Sequence, residues 1–184
     1  NEDRCRNNIL ELVRRTSAYL PSDVEQVIAL NRTLEEPGSK AEFALELVKQ
    51  NIGIAKARSL PICQDTGTIN FYIETPKDVD QILLAQLARD AVVEATERGF
   101  LRQNSVDSIT GKNTGNNLGM GSPVFHWEQT DEPHIDIRLI LKGGGCENTN
   151  AQYALPAELD HLGRADRSLA GVRKCILHAV WKAQ

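Results

Sequence analysis

Apolar residues recur at helical spacing through the first 58 positions. Ile9, Leu10, Leu12 and Val13 form one such set. Ser22-Asp23-Val24-Glu25 has the spacing of a capping box, in which the Ser22 hydroxyl accepts a backbone N–H and Glu25 reaches back. Val24, Val27 and Ile28 then make a single stripe. Glu35-Glu36-Pro37-Gly38 interrupts the pattern. Ser39 and Glu42 repeat the capping-box spacing, and the periodicity puts Phe43, Ala44, Leu47 and Val48 on the buried face of the helix that follows.

The period changes after Ser59-Leu60-Pro61. Ile69, Phe71 and Ile73 alternate with Asn70, Tyr72 and Glu74, which predicts a strand with one buried face. Pro76-Lys77-Asp78 ends it. A long helix is expected next, with Val79, Ile82, Leu83 and Leu87 inward and Gly99 at its C′ position. Residues 103–122 are polar and rich in Gly, Asn, Ser and Thr, and a loop of that length in a compact domain points to function. Val124, Phe125 and Trp127 suggest a second strand. Ile135, Ile137, Leu139 and Leu141 suggest a third, which runs into Lys142-Gly143-Gly144-Gly145, and His126 and His134 flank a hairpin between these two. A final helix carries Leu169, Val172, Ile176 and Val180. Helices first and strands mixed with helices afterwards read as α+β: N-terminal helices followed by a mainly antiparallel sheet packed by helices. The chain reads as one domain over 1–184, helical over 1–58 and mixed over 59–184.

Composition narrows the function classes. The 184 residues are 41% apolar and 25% charged, which is globular. Lys and Arg number 21 against 25 Asp and Glu, for a net charge of −4. There is no cation surplus to neutralise phosphates, so general nucleic-acid binding is disfavoured. No apolar run reaches membrane-spanning length, and Asn1-Glu2-Asp3-Arg4 is not an apolar signal region. Cys5, Cys63, Cys146 and Cys175 contain no CxxC pair and are too sparse for a disulfide scaffold. They read as reduced thiols of a cytoplasmic protein. No histidine lies in a HExxH pair, and none is given a catalytic role.

Four segments carry candidate chemistry. Cys63-Gln64-Asp65-Thr66-Gly67 sets a thiol, an amide, a carboxylate and a hydroxyl in a row. It suits a metal and an oxygenated substrate, or else an ordinary Asx-type turn. Lys142-Gly143-Gly144-Gly145-Cys146-Glu147-Asn148 combines a cation with glycines whose amides can form an anion nest, or is a flexible connection. Its Lys precedes the glycines, so it is not a phosphate-binding P-loop. Lys112-Asn113-Thr114-Gly115-Asn116-Asn117 offers amides and hydroxyls to a substrate, or is a solvated loop. In Leu101-Arg102-Gln103-Asn104, the Arg102 fork can clamp a carboxylate or complement a helix dipole.

Taken in order, Ile62-Cys63-Gln64-Asp65-Thr66-Gly67, Leu101-Arg102, Lys112-Asn113-Thr114-Gly115 and Lys142-Gly143-Gly144-Gly145 with Glu147-Asn148 resemble the alpha region of the class I fumarate hydratase and L-tartrate dehydratase family of iron–sulfur hydro-lyases. The resemblance covers nearly the whole chain. It implies a [4Fe–4S] cluster held by three thiolates, with Cys63 the first and the other two beyond residue 184. It further implies that Gln64 and Asp65 contact a small dicarboxylic or hydroxydicarboxylic acid and that Arg102 grips one carboxylate. The segment from Lys142 through Gly143, Gly144 and Gly145 to Asn148 would wrap the substrate. Asp65 is the candidate for proton transfer or substrate orientation.

The expected activity is reversible addition of water to fumarate to give malate. L-tartrate dehydration and mesaconate hydration are the alternatives within the same chemistry. From other classes, a non-catalytic binding or assembly module and a zinc- or thiol-dependent enzyme using Cys63 alone remain open. The resemblance also implies that this is the N-terminal part of a longer alpha region, inactive alone, which works with a beta region or subunit in a homo-oligomer. Leu118-Gly119-Met120-Gly121 departs from the Pro-containing continuation of the family, which leaves the preferred diacid open.

Overall fold

The computed structural model describes residues 1–144 and 150–183. They form two compact units, 1–143 and 144–184. In the first unit, α1 (Glu2–Ala18) is followed by α2 (Ser22–Leu34), α3 (Lys40–Arg58), β1 (Thr68–Thr75), α4 (Gln81–Glu97), β2 (Val124–Gln129) and β3 (Asp136–Lys142). No helix among the described residues is long and apolar enough to cross a membrane.

Local chemistry sets the helix ends. The Ser39 hydroxyl accepts the Glu42 N–H at 3.0 Å, and the Glu42 carboxylate accepts the Gly38 N–H at 2.7 Å, which bears out the capping spacing there. The same spacing at Ser22 is not used. Helix α2 starts one residue earlier than expected, with Pro21 as its N-cap, so Ser22 already lies inside the first turn and makes no side-chain cap. Asp80 caps α4, accepting from the N–H groups of Ile82 and Leu83 at 2.9 and 3.0 Å. At the other end Gly99 has φ +74°; its N–H donates to Thr96 O, and that of Phe100 donates to Ala95 O, a Schellman ending as expected.

Strand β1 is central to a three-stranded sheet of order β2-β1-β3. It runs parallel to β2, with Phe71 opposite Phe125, and antiparallel to β3, with Phe71 opposite Leu139. The α+β class therefore holds, and this sheet is mixed. Because β1 lies between them, β2 and β3 are not a hairpin. His126 instead stacks on Tyr72 across β1 and β2, with centroids 4.4 Å apart. Ile69, Phe71 and Ile73 are buried as the alternation predicts. They pack with Ile9, Leu10 and Val13 of α1 and with Leu84, Ala88, Ala91, Val92 and Ala95 of α4. Each fully buried large side chain contributes on the order of 1.5–3 kcal/mol.

Two expected faces differ. On α4, Ile82 and Leu83 are exposed, and the inward stripe is Leu84, Ala85, Ala88, Ala91, Val92 and Ala95. The alanines let α4 lie close to α1 and the sheet, which shifts the buried arc away from the bulkier residues at the helix start. On α3, Phe43, Ala44, Leu47 and Val48 are exposed, and only Ile52 and Ala55 are buried. Helix α2 packs on α3 and has no buried residue of its own, so the two form a thin layer with nothing among the described residues of the unit over its apolar stripe.

The second unit contains β4 (Ala157–Leu159) paired antiparallel with β5 (Gly163–Ala165), and α5 (Leu169–Lys182). Ser168 caps α5 by accepting the Gly171 N–H at 3.1 Å. Its inward residues are Gly171, Cys175 and His178, whereas Leu169, Val172, Ile176 and Val180 are exposed.

Candidate functional site

The segment Cys63–Gly67 links α3 to β1 at one end of the sheet. Cys63 is an exposed, free thiol, and the Asp65 N–H points to its Sγ at 3.4 Å. Asp65 folds back on its own loop: its Oδ1 accepts the Gly67 N–H at 2.9 Å, an Asx-type turn. Gly67 has φ +66°, and a Cβ there would stand 1.9 Å from Lys142 O and 2.5 Å from Gly143 Cα. A Cβ on Gly143 would in turn lie 3.2 Å from Asp65 Oδ2. The glycine at 67 is thus what admits the end of β3, and this close approach brings Asp65 and Lys142-Gly143 together.

A second strand of chain holds the loop from the other side. After the α4 ending, residues 102–105 run past Thr66, which is itself buried. The Arg102 N–H donates to Thr66 Oγ1 at 2.7 Å, and the Thr66 N–H donates to Asn104 Oδ1 at 2.9 Å. Beneath this strap lies Asn117, 2% exposed and left-handed at φ +59°. Its Oδ1 accepts the N–H groups of Asn104 and Ser105 at 3.0 and 3.2 Å. Its Nδ2 donates to Arg102 O at 2.7 Å and to Thr96 Oγ1 at 3.0 Å. The Ser17 hydroxyl of α1 donates to Phe100 O just before the strap.

Of the expected residues, Asp65 therefore meets Lys142-Gly143, Cys63 is held to the same loop through the Asp65 N–H, and the backbone of Arg102 is tied to Thr66. The side chains of Gln64 and Arg102 are exposed, as is that of Lys142. A small dianion could be met here by the planar Arg102 fork, by Lys142 and by loop amides, beside one thiol and one carboxylate. Gly144 opens the second unit. Gly145, Cys146 and Asn148 lie outside the described residues.

The Lys112–Asn117 segment divides. Asn113 is used internally, donating to Gln103 O at 2.7 Å and accepting the Gly115 N–H at 2.8 Å. Asp107, at the start of the same loop, accepts from Thr110 and Ile109, and the Thr110 N–H is the main cause holding its carboxyl below the usual range.

Sequence reasoning missed Thr66, Thr96 and Asn117 as a connected set. The one available signal was an Asn in a Gly- and Asn-rich stretch, a residue type that tolerates the left-handed region and can pin backbone. In the second unit, His178 is 3% exposed and its Nδ1 lies 2.7 Å from Oη of the half-buried Tyr153, a pairing that the apolar periodicity of α5 does not reveal. Among the described residues no group of three or more His, Cys, Asp or Glu side chains could hold a metal ion.

The chain is similar in sequence to proteins of one family. The sequence profile of the family Fumarate hydratase (Fumerase) matches residues 6–184. A Geobacillus stearothermophilus protein provisionally named as class I fumarate hydratase is 47% identical over 99% of this chain and 35% of its own length. A Methanocaldococcus jannaschii protein provisionally named as the alpha subunit of L(+)-tartrate dehydratase is 30% identical over 95% of this chain and 60% of its own. The L(+)-tartrate dehydratase subunit alpha of Escherichia coli K12 is 29% identical over 79% of this chain and 50% of its own. The chain thus spans between about a third and three fifths of these relatives.

Proposed function

Because the chain belongs to the fumarate hydratase (Fumerase) family, we propose that it supplies part of the diacid site of a hydro-lyase that reversibly adds water to fumarate to give malate. The observation that carries this reading is the meeting of Asp65 with Lys142-Gly143 across Gly67, with the Arg102 backbone bound to Thr66 in the same loop. The 47% identity to a relative named for fumarate hydratase supports this substrate over its alternatives.

In this reading Arg102 binds one carboxylate of the substrate through its two-pronged guanidinium, and Lys142 offsets the charge of the other. Loop amides near Gly143 neutralise the negative charge that builds up as the proton leaves carbon. Asp65 orients the substrate or carries that proton, and its tether to the Gly67 N–H fixes its direction. Gln64 contributes an amide to the same diacid.

A [4Fe–4S] cluster is part of the proposal, with Cys63 as one of three ligands. The residues present fit one corner of such a group: an exposed thiol, on a loop rather than in a core, with a backbone N–H directed at its sulfur. When bound, the cluster would supply a Lewis-acidic iron for the departing or entering hydroxyl. Cys5 belongs to α1 and Cys175 is buried in α5, so neither is proposed as a ligand. The remaining two thiolates are assigned to residues after 184. A beta region or subunit is proposed as partner, on the ground that two relatives are named as alpha subunits. Self-association into a homo-oligomer is part of the same reading.

The test is an anaerobic assay of the intact protein with iron and sulfide analysis. Conversion of fumarate to malate, with iron and acid-labile sulfide present and activity lost in air, is the expected result. An air-indifferent protein with zinc and no sulfide would remove the cluster reading, and no turnover with a folded, iron-loaded protein would favour a binding module. A second substrate is favoured by the tartrate dehydratase relatives, so L-tartrate is assayed beside fumarate, with mesaconate as the further arm.

A further inference from the structure

Asn117 uses its whole side-chain hydrogen-bonding capacity on backbone and hydroxyl groups. Both N–H bonds of its amide are donated, to Arg102 O and Thr96 Oγ1, and its oxygen accepts two N–H groups, from Asn104 and Ser105. Asparagine tolerates φ +59°, but at 2% exposure its surroundings have to bond its amide fully. Here they do. Thr96 is anchored in α4 by its own bond to Val92 O at 2.8 Å, so the amide ties the strap to a helix.

The strap then reaches the loop through two bonds at a single residue. Thr66 accepts from the Arg102 N–H and donates its own N–H to the Asn104 side chain. Thr66 stands between Asp65 and Gly67. A chain of hydrogen bonds therefore runs from α4 through Asn117 and the strap to the residue that separates the candidate acid from the glycine against β3. Arg102 lies on this path through its N–H and its carbonyl, while its side chain stays exposed.

We propose that Asn117 is a positioning residue for diacid binding: it sets where Arg102 stands relative to Asp65, without touching the substrate. The proposal rests on the reading of Arg102 as a carboxylate anchor given above. An aspartate could not do the same work, because it has no N–H for Arg102 O and would face that carbonyl with a negative charge. A glycine would keep the left-handed backbone and lose every side-chain bond.

The experiment measures the Kd of a saturated diacid, succinate, by calorimetry on the intact protein, with thermal melts alongside. Asn117→Gly is expected to raise the Kd about tenfold, the scale of one lost oriented hydrogen-bonded contact. In an Arg102→Gln background the same change should alter the Kd less than about twofold, since no anchor remains to be misplaced. Thr66→Val removes the acceptor for the Arg102 N–H at nearly constant shape and should weaken binding about fivefold, whereas Thr66→Ser should restore it. Should Asn117→Gly not fold, the Thr66 pair decides alone. Equal losses from Asn117→Gly with and without Arg102, or equal binding by the Thr66→Val and Thr66→Ser proteins, overturns the role of Asn117. Unchanged succinate binding by Arg102→Gln itself shows instead that the anchor was wrongly assigned, which is a separate failure.

Discussion

Gly67 lies against Lys142 so closely that a Cβ on the glycine would stand 1.9 Å from the lysine carbonyl oxygen. That contact seats the end of β3 on the Cys63–Gly67 loop. Gly67→Ala must pay twice, for the φ of +66° and for displacing backbone. A cost above about 2 kcal/mol is expected. Gly111 isolates the first part: its φ is +68°, yet nothing lies within 4 Å of a Cβ there. Gly111→Ala should therefore cost only about 1 kcal/mol. Urea denaturation of both variants checks the difference, and equal costs would mean that the close approach is not maintained in solution.

Cys63 is exposed and its sulfur accepts one backbone N–H, so little folding energy depends on it. Cys63→Ser keeps an acceptor in place. Its stability should stay within about 0.5 kcal/mol of the parent. On the proposal that Cys63 is a cluster ligand, turnover by the intact protein should fall by at least about 100-fold, and its iron content with it, because a serine hydroxyl is a poor replacement for a soft thiolate. An active, fully iron-loaded serine variant would remove Cys63 from the cofactor.

The parts of the fold that could be read in advance are those where periodicity and burial coincide. Ile69, Phe71 and Ile73 alternate because one sheet face meets α1 and α4, and Gly99 ends a helix by a local rule. Sheet order was not readable in that way. Strand β1 lies between β2 and β3, an order that a tight hairpin between those two would have forbidden, and the Tyr72 to His126 pairing needs the parallel β1–β2 edge as well. The exposed Phe43 and Leu47 follow the expected stripe, but a stripe does not say whether anything covers it. At the site, Cys63, Asp65, Arg102 and Lys142 stood out by residue type and order. Asn117 figured only as one amide of a segment that could hold substrate or be a solvated loop, since its positioning role comes from four partners that only the folded chain brings to it.

Two arginines of its own helix strongly perturb the Glu11 carboxylate. Hydrogen bonds first from Arg14 and then from Arg15 hold its pKa at about 2, below the ordinary 4.5. A depressed carboxylate stabilises the fold above its unfolded pKa, and that contribution fades as pH falls through the folded value. The window is therefore pH 4.5 down to about 2. With Glu11 44% exposed, solvent screening keeps the effect small, below about 1 kcal/mol. Glu11→Gln should be slightly less stable than the parent at pH 7 and equal to it near pH 2. Paired denaturation curves at the two pH values test this, and a constant gap would place the stabilisation elsewhere, for instance in the Arg14 bond to Ser59 Oγ at 2.9 Å.

The inward face of α4 makes a sharp test of the packing. Periodicity put Ile82 there, but Ile82 is 85% exposed, whereas Leu84 is 3% and Ala91 0% exposed. Ile82→Ala should change stability by no more than about 0.5 kcal/mol. Leu84→Ala leaves a cavity beside the β1 core and should cost about 2–5 kcal/mol. Ala91→Leu adds three carbons at a fully buried position of α4 and should cost about 1–3 kcal/mol by overpacking. The three values order the helix faces by energy alone. A costly Ile82→Ala beside a harmless Ala91→Leu would rotate α4 about its axis and move its last turn, where Thr96 meets Asn117. That rotation would carry the strap over Thr66 with it, so the stability of these three variants also measures whether the candidate site is held where α4 places it.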